Sequence, residues 1–148
     1  MVADIHGNDV ALRAVWKDAV PEEVDQWWAL GGLVLFGPQP APHATAADAV
    51  GSLDLVERYG AMAAGIGWTR GVLDQAGLLD SLTALPMHLR LKSASGASVL
   101  GVHASPRADD GAGIEPGMSD EQLRLLLAGC DADVVAGGHT HVATDRLV

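Results

Sequence analysis

Cysteine is nearly absent from this chain: Cys130 is the only one in 148 residues. A single thiol excludes an internal disulfide framework and any thiolate-bound metal cluster, and it fits a reducing compartment. Positive charge is also scarce, with 9 Lys+Arg against 19 Asp+Glu and a formal net charge of -10. Such a surface repels a phosphate backbone, which argues against a nucleic-acid binder that works by electrostatics. It still admits a phosphorylated small molecule, because bound divalent cations reverse the local potential. Long hydrophobic runs are missing as well. The longest uncharged apolar-looking stretch, Trp27 to Pro38, is too short and too glycine-rich to cross a bilayer. Asp4 and His6 interrupt the start before any signal-peptide core. The expectation is a soluble, cytoplasmic protein without a membrane segment.

What is present suits a folded α/β domain. Apolar residues make up 49% and charged residues 19%, which excludes disorder and leaves enough apolar surface for one core over residues 1–148. Leu12, Val15, Trp16 and Ala19 recur at helical spacing, which predicts a helix over Asp9–Val20 that stops at Pro21. Trp27–Gly31 reads as a short buried strand, and Gly37 to Pro42 as loop. Helices are expected over Thr45–Tyr59 and Trp68–Leu82, with Gly65 and Gly67 breaking the chain between them. Met87–Lys92 and Ser98–His103 read as strands joined by a turn at Ala94-Ser95-Gly96. Ser119 with Gln122 three residues on predicts a capping box, and Leu123, Leu126 and Leu127 give that helix its apolar face. Asp133–Gly137 completes the pattern as a final strand.

Chemistry-bearing residues cluster just past the apolar runs. Asp4 and His6 follow a short apolar start, Gly31-Gly32 follow Trp27–Leu30, His103 follows Val99–Val102, and His139 and His141 follow Val134–Gly138. In α/β proteins the carboxyl ends of strands gather along one sheet edge, where ligands bind. Four of the six histidines occupy such positions. The two-residue spacing of Asp4 and His6, repeated in His139 and His141, would put each pair on one side of an extended backbone. One carboxylate and four imidazoles suit manganese, iron or zinc better than magnesium or a cuprous ion. Any one of these residues alone is more often a cap, a turn or a structural histidine. The ordered set points to a divalent-metal site.

The same set resembles the calcineurin-like metallophosphoesterases, in particular their small bacterial and archaeal branch. Ala3-Asp4-Ile5-His6-Gly7-Asn8 with Ala11-Leu12 resembles the family's opening motif, and Leu30-Gly31-Gly32-Leu33-Val34 with Gly37-Pro38-Gln39-Pro40 its second. Val102-His103-Ala104-Ser105-Pro106-Arg107 resembles its histidine-bearing strand end, and Gly137-Gly138-His139-Thr140-His141 its closing segment. The likeness spans roughly residues 1–43 and 68–148. It implies a four-layer α/β sandwich, with mixed sheets flanked by helices. It also implies one ion on Asp4, His6 and His141 and a second on His103 and His139, one or two divalent ions (Mn, Fe or Zn) in all. A metal-activated water would hydrolyse a phosphate mono- or diester of a phosphorylated small molecule. Asn8 would hydrogen-bond the substrate or cap the helix that follows it.

The chain departs from that pattern in ways that bear on activity. The family's second motif carries an aspartate that bridges both ions, and Gly32 stands there. The third motif, Gly-Asn-His, is missing from the shortened segment around 51–67, and neither His43 nor Asp48 has the spacing to replace a lost ligand. The ends read as clipped. The expectation is therefore an impaired phosphoesterase, or else an inactive relative or truncated product that holds at most a single ion.

Overall fold

The computed structural model describes residues 1–33 and 53–148. It is a mixed α/β protein with a three-stranded sheet and, among the described residues, four α-helices. Two compact units form: Met1–Leu33 with Pro86–Val148, and Val34–Leu85. The expected loop at Gly37–Pro42 and the first part of the expected Thr45–Tyr59 helix lie outside the described residues, as do His43 and Asp48.

In the first unit, helix α1 (Asp9–Ala19) begins at Asn8, whose side-chain oxygen accepts the Ala11 N–H at 3.0 Å. A turn of 3-10 helix (Val20–Glu22) with Pro21 at its start follows, as a residue lacking an N–H requires. Trp16 of α1 stacks on Trp27 with ring centroids 4.5 Å apart. That contact ties the helix to the segment that returns beside the amino terminus.

The expected strand at Trp27–Gly31 is reduced to a single parallel bridge between Val2 and Ala29. Backbone bonds nevertheless keep the two segments aligned well beyond it. Val2 N–H donates to Trp28 O, Leu30 N–H to Val2 O, Asp4 N–H to Gly31 O and His6 N–H to Gly32 O.

The sheet has the order β1-β2-β3, where β1 is Leu89–Lys92, β2 is Ser98–Gly101 and β3 is Val134–Ala136. β1 and β2 form an antiparallel hairpin across the expected turn, and β3 lies parallel to β2 with Val99 opposite Val134. The core lies on and just beyond the central strand. Leu100, Val102 and Ala104 are 1–2% exposed, and Leu30 and Leu123 complete it. Trp28 and Leu30 press against Gly101, where any side chain would come within 3.0 Å of them. Leu123 comes from α4 (Asp120–Leu126), whose Ser119 and Gln122 make the full capping box. Arg146 ties the chain's last residues to the Met118 carbonyl and the Asp120 carboxylate at the start of α4.

The second unit corrects one expectation. Helix α2 (Leu53–Gln75) runs straight through Gly65 and Gly67. Glycine weakens a helix by about 1 kcal/mol relative to alanine but does not end one unless its backbone turns left-handed. Neither glycine is among those with positive φ. The break falls at Gly77 instead, where φ is +67° and the Leu78 N–H bonds the Leu73 carbonyl at 2.9 Å. A short helix, α3 (Leu79–Thr83), follows. Among the described residues, no helix is long and apolar enough to cross a membrane.

The β2–β3 pairing starts at an exposed acid. Asp133 accepts both the backbone N–H (2.7 Å) and the hydroxyl (2.8 Å) of Ser98. These bonds favour the ionised form and hold its carboxyl below the ordinary carboxylate range. A lowered folded-state value adds stability above the unfolded value of about 3.9, and that stability is lost as pH falls through the folded value. Acid unfolding should show this. Asp133→Ala should flatten the stability profile below about pH 4 while leaving its shape near neutrality unchanged. Parallel acid limbs in the two proteins would sink the assignment.

Candidate metal centre

All five expected ligands come together in the first unit, at the carboxyl ends of the segments that carry them. The backbone pairing explains why. Val102 N–H donates to Ala136 O, and Gly138 N–H donates to His103 O, so the β2–β3 alignment continues past both strands. That continuation sets His103 beside the Gly138-His139 turn. The aligned bonds from Asp4 and His6 to Gly31 and Gly32 bring the amino-terminal pair to the same edge.

The backbone differs from expectation. Asp4, His6, His139 and His141 have φ values of +54°, +48°, +72° and +55°, in place of an extended chain. Among the described residues only one other non-glycine, Glu23, has positive φ. Each such residue costs of order 1–3 kcal/mol and persists where its surroundings over-determine it. Here the surroundings are tight glycine turns at both strand ends. Gly31 and Gly32 are also left-handed.

Asp4 is the hub. Its Oδ2 accepts the His139 backbone N–H at 2.8 Å. Its Oδ1 lies 3.4 Å from His141 Nε2 and 3.6 Å from His6 Nε2, and those two nitrogens are 3.2 Å apart. Ligand atoms about 2.1 Å from a tetrahedral ion stand roughly 3.4 Å from one another, so this triangle matches one face of such a site. Among the described residues, Asp4, His6 and His141 are the trio whose ligand atoms converge in this way. Asp4 Oδ1 is buried, and no hydrogen-bond donor reaches it. An ionised oxygen left so is costly, and a cation at the trio would satisfy it. The donor set therefore fits a divalent ion.

The other two histidines form a separate pair. His103 Nδ1 bonds the Leu30 carbonyl at 2.8 Å, and His139 Nε2 bonds the Gly111 carbonyl at 2.7 Å. A carbonyl only accepts, so each ring carries its hydrogen on that side. The remaining nitrogens, His103 Nε2 and His139 Nδ1, face each other at 3.3 Å. In neutral rings both nitrogens would present lone pairs, which a cation between them could bind. Carbonyls that fix the tautomer of a ligating histidine are the usual outer support of a metal site. His103 Nε2 is 3.9 Å from Asp4 Oδ1, so Asp4 stands between the two pairs.

Asn8 serves as the helix cap. The carbonyls of Leu30 and Gly111, which set the two ring tautomers, leave no mark in the sequence, since any residue supplies a carbonyl. Gly138 was legible only as part of a motif. Its structural demand is specific: a methyl group there would lie 2.5 Å from Asp4 Oδ2 and from Ala3 Cβ. No protein-family model matches the chain, and no curated protein matches it.

Proposed function

We propose that this chain holds a divalent cation, manganese, iron or zinc, on Asp4, His6 and His141, and uses it in the hydrolysis of a phosphate mono- or diester at reduced rate. The observation that carries the metal reading is the buried Asp4 Oδ1, which accepts no hydrogen bond and faces two imidazole nitrogens. The phosphoester reading rests on the resemblance of the ordered motifs to the calcineurin-like metallophosphoesterases, together with the four-layer α/β sandwich that resemblance implies. The substrate in this reading is a phosphorylated small molecule, and the setting is the cytoplasm.

When bound, such an ion lowers the pKa of a coordinated water and offsets charge on the phosphoryl oxygens. Asp4 contributes the one negative charge of the trio, and the His139 N–H holds its other oxygen in place. The facing nitrogens of His103 and His139 offer a second, weaker two-nitrogen site beside the first. The missing carboxylate at Gly32 is the reason for expecting a reduced rate. Two lone pairs without a charge partner hold a second ion poorly.

A single-ion binding module is the competing reading, favoured because among the described residues one trio converges, not two. Metal content after loading and dialysis, measured together with turnover of an aryl phosphodiester, separates them. About one bound equivalent with slow, metal-dependent hydrolysis supports the phosphoesterase. The same equivalent without turnover gives the binding module. No retained metal overturns both.

A further inference from the structure

We infer that Gly32 is a positioning residue: its lack of a side chain is what holds Asp4 in ligating geometry, so a carboxylate at position 32 displaces Asp4 and adds no second ligand. This rests on the metal-site reading above. On sequence grounds Gly32 is a lost ligand, and restoring aspartate there should rebuild a two-ion site. The geometry points the other way.

A methyl group at Gly32 would lie 2.7 Å from Asp4 Cα, 2.7 Å from Asp4 Oδ1 and 3.0 Å from Asp4 N. Two of these are backbone atoms, which cannot swing aside as the end of a flexible side chain does. The φ of +62° adds a penalty for any L side chain, whatever the space. The Gly32 carbonyl also accepts the His6 N–H at 2.7 Å, and the Gly31 carbonyl accepts that of Asp4 at 3.1 Å. Residue 32 therefore touches both members of the amino-terminal ligand pair.

The far side of the same carboxylate is equally tight. Gly138 approaches Asp4 Oδ2, which accepts the His139 N–H. Asp4 is held between two glycine backbones, Gly32 against Oδ1 and Gly138 against Oδ2. Neither wall has room for Cβ. A substituent at 32 pushes Asp4 out of the triangle it forms with His6 and His141 and breaks the bond from His139.

The test compares wild type, Gly32→Asp and Gly32→Ala, with Gly96→Ala as control. Gly96 has φ +89° and open space around it, so it carries the backbone penalty without the contact. Two readouts are needed. Titration with zinc or manganese alone should show one equivalent in wild type and in Gly96→Ala, with affinity at least about tenfold weaker in both Gly32 variants, the scale seen when a ligand's outer support is lost. In metal-free protein, amide hydrogen exchange at His139 should accelerate in the Gly32 variants and stay unchanged in Gly96→Ala. A second bound equivalent or tighter binding in Gly32→Asp overturns the inference, and so does unchanged His139 protection. Loss of the cooperative thermal melt in the Gly32 variants also overturns it, because the residue then serves the fold and not Asp4. If wild type binds no metal, the functional reading fails by itself, and His139 exchange still decides whether Gly32 positions Asp4.

Discussion

Replacing Asp4 by asparagine is expected to raise the thermal stability of the metal-free chain while abolishing its metal binding. The two effects have one cause. Asp4 Oδ1 is buried without a hydrogen-bond donor, and a polar atom left that way costs about 1–3 kcal/mol, more when charged. Asparagine removes the charge, and its carbonyl can keep the His139 N–H on the Oδ2 side. Its amide then presents N–H groups, in place of a charged oxygen, on the side of the His6 and His141 ring nitrogens. The left-handed backbone is no obstacle, since asparagine tolerates φ near +54° better than most residues. A gain of about 1 kcal/mol, roughly 3 °C in melting temperature for a chain of this size, is the expected outcome. Metal affinity should fall by at least about 100-fold, beyond what loss of an outer partner does. Calorimetric melts and metal titration on the same preparations check both halves. A melt that falls would make Asp4 a prop of the fold, and retained affinity would remove it from the ligand set.

The second large effect belongs to the core. Leu100 lies at the middle of the central strand, paired with Arg90 on one side and Val135 on the other, and it is 2% exposed. Leu100→Ala should lower the unfolding free energy by about 3 kcal/mol, within the 2–5 measured for buried leucine truncations. Against a total of about 5–15 kcal/mol that is a large fraction. Few neighbours share the load: Leu30, Val102, Ala104 and Leu123 are the other buried apolar residues among those described. Leu100, Val102 and Ala104 alternate along the chain toward the core, and His103 falls between them beside the ligands. Loosening the one face therefore loosens the other. Urea unfolding followed by tryptophan fluorescence reads the change, and a midpoint shift worth under about 1 kcal/mol would show that this face is not the core.

Local chemistry was the legible part of the fold. The Asn8 cap, the Ala94–Gly96 turn and the Ser119–Gln122 box all depend on residues within four positions of each other, and each stands where the sequence puts it. Pro21, by contrast, does not stop the chain but sits inside the 3-10 turn that follows α1. The glycines of α2 misled because a glycine ends a helix where its backbone turns left-handed, which residue type alone does not impose. The candidate site was legible as residue types at strand ends. Asp4, His6, His103, His139 and His141 do assemble, and the split into Asp4/His6/His141 and His103/His139 follows from distances. The manner of assembly was hidden. The left-handed backbone at four ligands and the close approach of Gly32 and Gly138 to Asp4, a contact across more than 100 positions for one of them, leave no local pattern to read. Gly32 itself reads in sequence as a deletion of function and in three dimensions as a tight contact with Asp4.

His6 and His141 stand 135 positions apart, yet their ring nitrogens are 3.2 Å from each other. An ion shared by them and Asp4 would close a loop spanning those 135 positions. Closing a loop of about 100 residues removes roughly 5 kcal/mol of chain entropy from the unfolded ensemble in the simplest cross-link treatment. A chain with one cysteine has no covalent means of doing this. Two imidazoles and a carboxylate, drawn from segments 135 positions apart, would make the cation a clasp between them.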